Sequence, residues 1–213
     1  MKKIIDYSTF RRLLHDNMTV MVGGFMAVGT AEPLIDAMVE ANVKNLTLIC
    51  NDAGYPTKGI GKLIANNQVK KLITSHIGLN PVAGEKMMNE MMEIVLVPQG
   101  TLAEQIRSYG AGLGGVLTKT GLGTMVEDGK PVIEVDGERY LLEKPLKADL
   151  AIIRGSFVDY YGNVIYNATT RNFNPVMATA AKTVVVWAEH LVEELDKEKV
   201  MTPHIFVDYI VRD

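Results

Sequence analysis

Short apolar runs alternate with stretches of helical spacing along the first hundred residues. The runs at 19–22, 46–50, 69–75 and 94–97 carry β-branched residues and are bounded by polar, Gly or Pro positions, which predicts buried strands. Between them, apolar residues recur every three to four positions. Phe10, Leu13 and Leu14 predict a helix over 6–16, with Ser8 or Thr9 as its cap. Leu34, Ile35 and Met38 predict a second helix over 32–41, with Pro33 in its first turn. Helices are also expected over 57–66 and 84–92. Pro98 ends the fourth strand, Gln99-Gly100 turns the chain, and Thr101 with Glu104 has the spacing of a capping box. Leu102, Ile106 and Tyr109 then share one helical face.

The second half changes character. Residues 132–135 and 139–142 alternate around Asp136-Gly137, the signature of a hairpin. Strands are expected at 149–154, 164–166, 182–187 and 205–211, and helices over 171–181 and 191–195. The alternation of strands and helices predicts one α/β domain over 1–213: a mostly parallel open sheet flanked by helices, with an antiparallel excursion near 130–142.

Four strands end in Gly23-Gly24, Asn51-Asp52, Ser75-His76 and Pro98-Gln99. In an open parallel sheet these ends share one edge, where ligands bind. Each of these residues taken alone also suits a cap or a turn. The loop Gly23-Gly24-Phe25-Met26-Ala27-Val28-Gly29 joins a strand to a helix. It lacks the Gly-Lys-Ser/Thr ending of a P-loop and the glycine spacing of a dinucleotide fingerprint. Two readings stand: an anion cradle of N–H groups, or glycines that permit tight packing. Further glycines crowd positions 110–123.

Composition narrows the classes. The chain has 213 residues, is 47% apolar, and has a net charge of −3 with no basic stripe, which argues against a nucleic-acid partner. One cysteine, Cys50, precludes an internal disulfide and a Cys-rich metal site. No apolar run reaches the ~18 residues that span a bilayer, and the start, MKKIIDYSTFRRLL, has no continuous apolar core of a signal peptide. A cytoplasmic protein without a membrane role is therefore expected. Met87, Met88, Met91 and Met92 fall at helical spacing and are expected to form a packed face.

The segments DNMTVMVGGFMAVG (16–29), NDAG (51–54), SHIGLN (75–80), PQGTLAEQIR (98–107), GAGLGGVLTKTGLGT (110–124), YLLE (140–143) and RNFNP (171–175) together resemble, in order, family I coenzyme A transferases, and specifically their A (alpha) subunits. One departure is visible: after Gly29 the chain reads Thr30-Ala31-Glu32-Pro33, where the family has proline two residues after the glycine. The resemblance implies acyl transfer between a short acyl-CoA and acetate, butyrate or acetoacetate through a glutamyl-CoA thioester. It implies that the nucleophilic glutamate lies in a Ser-Glu-Asn-Gly motif of a beta subunit, in an A2B2 assembly. No such motif occurs here, so no catalytic nucleophile is expected in this chain. By the same resemblance, Gly23, Gly24, Phe25, Met26, Ala27, Val28 and Gly29 form the CoA-binding segment. Asn51 and Gln99 are supporting amides, and Ser75, His76 and Asn80 line the acyl pocket. CoA is expected as a substrate, with no resident cofactor and no metal. A single-chain sugar-phosphate isomerase and a non-catalytic ligand-binding regulator are the alternatives.

Overall fold

The structure, a computed structural model, describes residues 3–212; Met1, Lys2 and Asp213, the ends of the expected 1–213 unit, lie outside the described residues. The chain runs β1 (Lys3–Ile5), α1 (Tyr7–Arg11), β2 (Thr19–Val22), α2 (Glu32–Ala41), β3 (Leu46–Ile49), α3 (Gly61–Ala65), β4 (Val69–Thr74), α4 (Pro81–Met88), β5 (Glu93–Leu96) and α5 (Gln99–Gly110). A small sheet follows, made of β6 (Val116–Thr118), β7 (Val132–Val135) and β8 (Glu138–Glu143). The main sheet then resumes with β9 (Ala148–Asp159), β10 (Val164–Ile165), α6 (Asn174–Ala178), β11 (Ala181–Val192) and β12 (Tyr209–Val211).

The main sheet has the order β1-β12-β11-β9-β2-β3-β4-β5, with β10 added antiparallel on β9. Every pair along that path is parallel. From β2 the chain steps outward through β3, β4 and β5; from β9 it steps the other way. The reversal falls between β2 and β9, the crevice where such sheets place ligands.

Central strands are apolar on both faces because helices cover both. Val20, Val22, Leu48 and Ile152 pack with Leu34, Met38 and Leu63 on one side. Met21, Ile49, Ala151 and Ile153 pack with Leu102, Ile106 and Met177 on the other. This two-sided burial is why these strands read as continuous apolar runs rather than alternating ones.

The antiparallel excursion forms as a hairpin at Asp136-Gly137, with Val135 opposite Glu138, and β6 adds to its other edge. Buried Glu143 ties it to α5, accepting from Gln105 Nε2 at 2.9 Å and Lys130 Nζ at 2.6 Å.

Several local expectations are corrected. β1 precedes a shorter first helix, and the cap of α1 is Asp6, whose Oδ1 accepts from the Thr9 N–H at 2.7 Å. The helix expected over 57–66 is confined to Gly61–Ala65, because Tyr55–Lys58 close a tight turn first. α4 begins earlier than 84, because Asn80 caps it and Pro81 fits its first turn. α5 starts at Gln99 without a side-chain cap. Thr101 lies inside it with Oγ1 unpartnered, and Glu104 pairs with Arg107, so no capping box forms. The helix expected over 171–181 shrinks to α6, preceded by a 3₁₀ turn at Ala168–Arg171. The helix expected at 191–195 is instead the end of β11, where Leu191 pairs with Val158 and Val192 with Asp159. Residues 204–206 form a 3₁₀ turn before the last strand. The methionine face is not packed: of the four, Met92 alone is buried, while Met88 and Met91 are 82% and 63% exposed, because α4 ends at Met88 and the turn beyond it is uncovered among the described residues.

Candidate active site

The C-terminal edge of β2 to β5 brings the strand-end residues into one hydrogen-bonded group. Asp52 is its anchor. Its Oδ2 accepts from the Met26 N–H at 2.7 Å and its Oδ1 from the Gly54 N–H at 2.9 Å. Oδ2 also accepts from Asn51 Nδ2 at 2.8 Å. That bond turns Asn51 so that Oδ1 faces away from Asp52, where Gln99 Nε2 donates to it at 2.6 Å. The carboxylate accepts only, so it fixes the orientation of both amides in the row. Asn51 is 2% exposed, while Gln99, at the start of α5, is exposed. Ser75, on the intervening strand end, donates to the Asn51 carbonyl at 2.7 Å and approaches its Oδ1 at 3.3 Å.

Two other expected residues sit differently. His76 bridges to Asp52 through the backbone, its carbonyl accepting from the Ala53 N–H at 3.0 Å, and its ring is exposed. Asn80 is buried, donates Nδ2 to the Ala53 carbonyl at 2.9 Å, and accepts the Ala83 N–H at the start of α4. Cys50 lies beneath the group. Burial pushes its thiol well above the ordinary range, and the Asp52 charge adds to this.

The glycine loop owes its shape to packing. Gly23 N–H bonds the Ile152 carbonyl at 3.1 Å and continues the β2–β9 ladder for one residue. Beyond it, Asn174 takes the place of the next strand residue, its Oδ1 accepting from the Arg154 N–H at 3.1 Å. A Cβ on Gly23 would lie 1.9 Å from that oxygen. Asn174 Nδ2 donates to the carbonyls of Gly29 at 2.9 Å and Thr170 at 2.8 Å, and Asn172 Nδ2 to that of Val28 at 2.9 Å. A Cβ on Gly24 would strike Thr30 Oγ1 at 2.0 Å, and one on Gly29 the Thr170 carbonyl at 2.5 Å. Thr30 thus seats the loop. Of the loop N–H groups, Gly23, Phe25, Met26 and Val28 bond within the protein; those of Gly24, Ala27 and Gly29 have no partner among the described residues. The outer face carries Phe25, Met26 and Val28, all exposed. The loop is therefore an apolar lip with a few open donors, not a full N–H cradle.

Strand-end reasoning named Asp52 but gave it no role in the site, and it passed over Asn174. The signal for Asn174 was the Asn-Pro step inside RNFNP; only the fold shows that its amide completes the edge of β9. Among the described residues no group of three or more His, Cys, Asp or Glu side chains could hold a metal.

Comparison with known proteins gives the family. The coenzyme A transferase profile matches residues 8–213. The acetoacetyl-CoA:acetate/butyrate CoA transferase alpha subunit of Clostridium acetobutylicum is 58% identical, over 99% of this chain and 98% of that one. The acetate CoA-transferase subunit alpha of Escherichia coli is 52% identical, over 98% and 96%. Among solved structures, the acyl-CoA transferase YdiF of E. coli O157:H7, in a thioester complex with CoA, superposes with a TM-score of 0.87 at 23% identity. That match covers all of this chain and 47% of YdiF, so the present chain spans about half of it. Glutaconate coenzyme A-transferase of Acidaminococcus fermentans gives 0.86 at 18% identity, over 99% of this chain and 75% of that one. These two share the fold. With relatives aligned end to end at more than half identity, and the profile running from residue 8 onward, the chain belongs to the coenzyme A transferase family.

Proposed function

We propose that this chain is the alpha subunit of a CoA-transferase that moves CoA between a short acyl-CoA and acetoacetate, acetate or butyrate, and that it works only with a beta subunit. The observation that carries the reading is the row Asp52, Asn51, Gln99 at the edge of the sheet. A carboxylate that attacks a thioester carbon pushes charge onto the carbonyl oxygen. Amide donors held beside that oxygen stabilise it without pairing with the attacking carboxylate. Gln99 and Asn51 each use one N–H within the row, and each keeps a second. Asp52 keeps both amides turned the right way before substrate arrives, so no reorganisation is needed during reaction.

The nucleophile comes from the partner chain. Its carboxylate displaces CoA thiolate from the acyl group, the thiolate then takes the activated glutamyl carbon, and the first carboxylic acid leaves. A second carboxylate reverses the sequence and departs as the new acyl-CoA. CoA is a substrate throughout, no resident cofactor takes part, and the assembly is A2B2 in the cytoplasm. The isomerase alternative asks for paired acid–base groups at a strand end. Among the described residues, the partners of Asp52 are N–H donors.

Reconstitution tests this reading. The chain is mixed with the beta subunit, and CoA exchange between acetyl-CoA and acetoacetate is followed, with each chain alone as control. Activity is expected only in the mixture. Gln99→Ala should lower kcat by about 10²–10³ while the complex still assembles, the loss typical of a removed oxyanion donor. Turnover by this chain alone, or full activity of the Gln99→Ala complex, refutes the reading.

A further inference from the structure

Two tight turns of equal size stand side by side above the sheet. Phe25 and Val28 exchange N–H···O bonds of 2.9 Å in each direction; Tyr55 and Lys58 exchange them at 3.2 and 3.0 Å. In the first turn Met26 and Ala27 have φ of 49° and 65°. Non-glycine residues rarely hold that conformation, and it persists only where neighbours impose it. Here Asp52 holds the Met26 N–H and Asn172 holds the Val28 carbonyl. Between the turns lies an open groove of about 950 Å³, lined by Met26, Ala27, Val28, Tyr55, Pro56 and Lys58 among others. That volume is in the range of small-molecule sites.

The groove sets the apolar Met26, Ala27, Val28 and Pro56 beside three charged residues, Glu32, Lys58 and Lys62. Lys62 is neutralised by Glu32 at 2.7 Å and Asp36 at 2.6 Å. Lys58 is exposed and makes no ion pair among the described residues. Met26 links the groove to the amide row: its side chain lines the groove and its N–H holds Asp52. A molecule whose reacting end lies at Gln99 and Asn51 can leave along this turn. The Ala27 N–H, unpartnered among the described residues, is a donor on that wall.

We propose that the groove between residues 25–28 and 55–58 takes the pantetheine arm of acyl-CoA, with Lys58 engaging one of the CoA phosphates. The proposal rests on the functional reading above and assigns a binding role to a turn outside the glycine loop. The arm's methylenes and methyls suit the Met26, Val28 and Pro56 walls, its amides suit the free backbone donor, and its phosphates suit a cation without an internal partner.

The test uses the reconstituted two-subunit enzyme with Lys58→Glu and Lys58→Ala. Initial rates are measured with acetyl-CoA and with acetyl-pantetheine, which lacks the phosphates. Lys58→Glu should raise the KM for acetyl-CoA roughly five- to tenfold, and Lys58→Ala less, as for an exposed charge contact. The kcat, the KM for acetoacetate and the kinetics with acetyl-pantetheine should stay within twofold. An unchanged KM for acetyl-CoA, or an equal change with acetyl-pantetheine, overturns the proposal. So does loss of the complex on sedimentation, which would assign Lys58 to the subunit interface. A wild-type complex without turnover would refute the functional reading instead. Calorimetric titration of CoA into the wild-type and Lys58→Glu complexes then decides the groove: weaker binding by the variant supports it, and equal binding overturns it.

Discussion

Replacing Asn174 by alanine should be among the most damaging single changes away from the amide row. The side chain is fully buried and serves three backbone groups: the N–H of Arg154 and the carbonyls of Gly29 and Thr170. A buried polar group left without its partner costs ~1–3 kcal/mol. Taking the low end for each of three groups gives a loss of about 3 kcal/mol, a large share of the 5–15 kcal/mol typical of a domain. In a chain of this length that lowers Tm by roughly 6–12 °C. The companion change is Gly23→Ala, whose Cβ would stand 1.9 Å from Asn174 Oδ1. If that oxygen is why position 23 is glycine, the two changes must not add. The double variant should cost at least about 1 kcal/mol less than the sum of the singles, within the coupling expected of touching residues. Urea unfolding of the four proteins, with unchanged m-values as the check on two-state behaviour, measures this directly. Asn174→Ala within about 0.5 kcal/mol of wild type, or strict additivity with Gly23→Ala, would refute the claim that this amide builds the loop.

Two further predictions concern titratable groups. Asp149 accepts the Thr19 N–H at 2.9 Å, joining β9 to the start of β2, and pairs with Lys182 of β11 at 2.9 Å; these bonds hold its carboxyl below the usual carboxylate value. A depressed folded pKa stabilises above the unfolded value of about 3.9 and is lost as pH falls through the depressed one. Asp149→Asn should therefore be less stable than wild type at pH 7, with the gap closing below about pH 4 in urea titrations at a series of pH values; a constant gap would contradict this. Cys50 should be silent to a thiol reagent at pH 8 in the folded chain and react stoichiometrically in urea, because burial keeps the thiolate from forming. Rapid native labelling would show that the floor of the site opens.

The parts legible in the sequence were those whose signals are local and periodic. Helix α2 was placed at its observed limits by Leu34, Ile35, Met38 and Pro33, and β2 to β5 by apolar runs bounded by turns. Elements made by distant pairing were not legible. β1 is three residues long and exists because it pairs with β12 near the other end of the chain. The end of β11 carries Glu189 and His190 in mid-strand, which hides its period, and only the partner β9 shows it to be strand. Thr101 and Glu104 had the spacing of a capping box, yet the helix began two residues earlier and left the motif inside it. Among the site residues, the convergence of Asn51, Gln99 and Ser75 followed from parallel strand order. The burial of Asn80 did not, because Asn followed by Pro reads equally as a cap and as a pocket residue.

In the proposed reaction this chain positions the thioester and its partner attacks it. The most direct measurement is intact-mass analysis of the reconstituted complex, denatured and desalted after brief incubation with acetyl-CoA and no acceptor acid. A covalent CoA adduct is expected on the beta subunit, absent from this chain, and diminished when Gln99→Ala replaces the wild-type chain. A CoA adduct on any residue of this chain would contradict it.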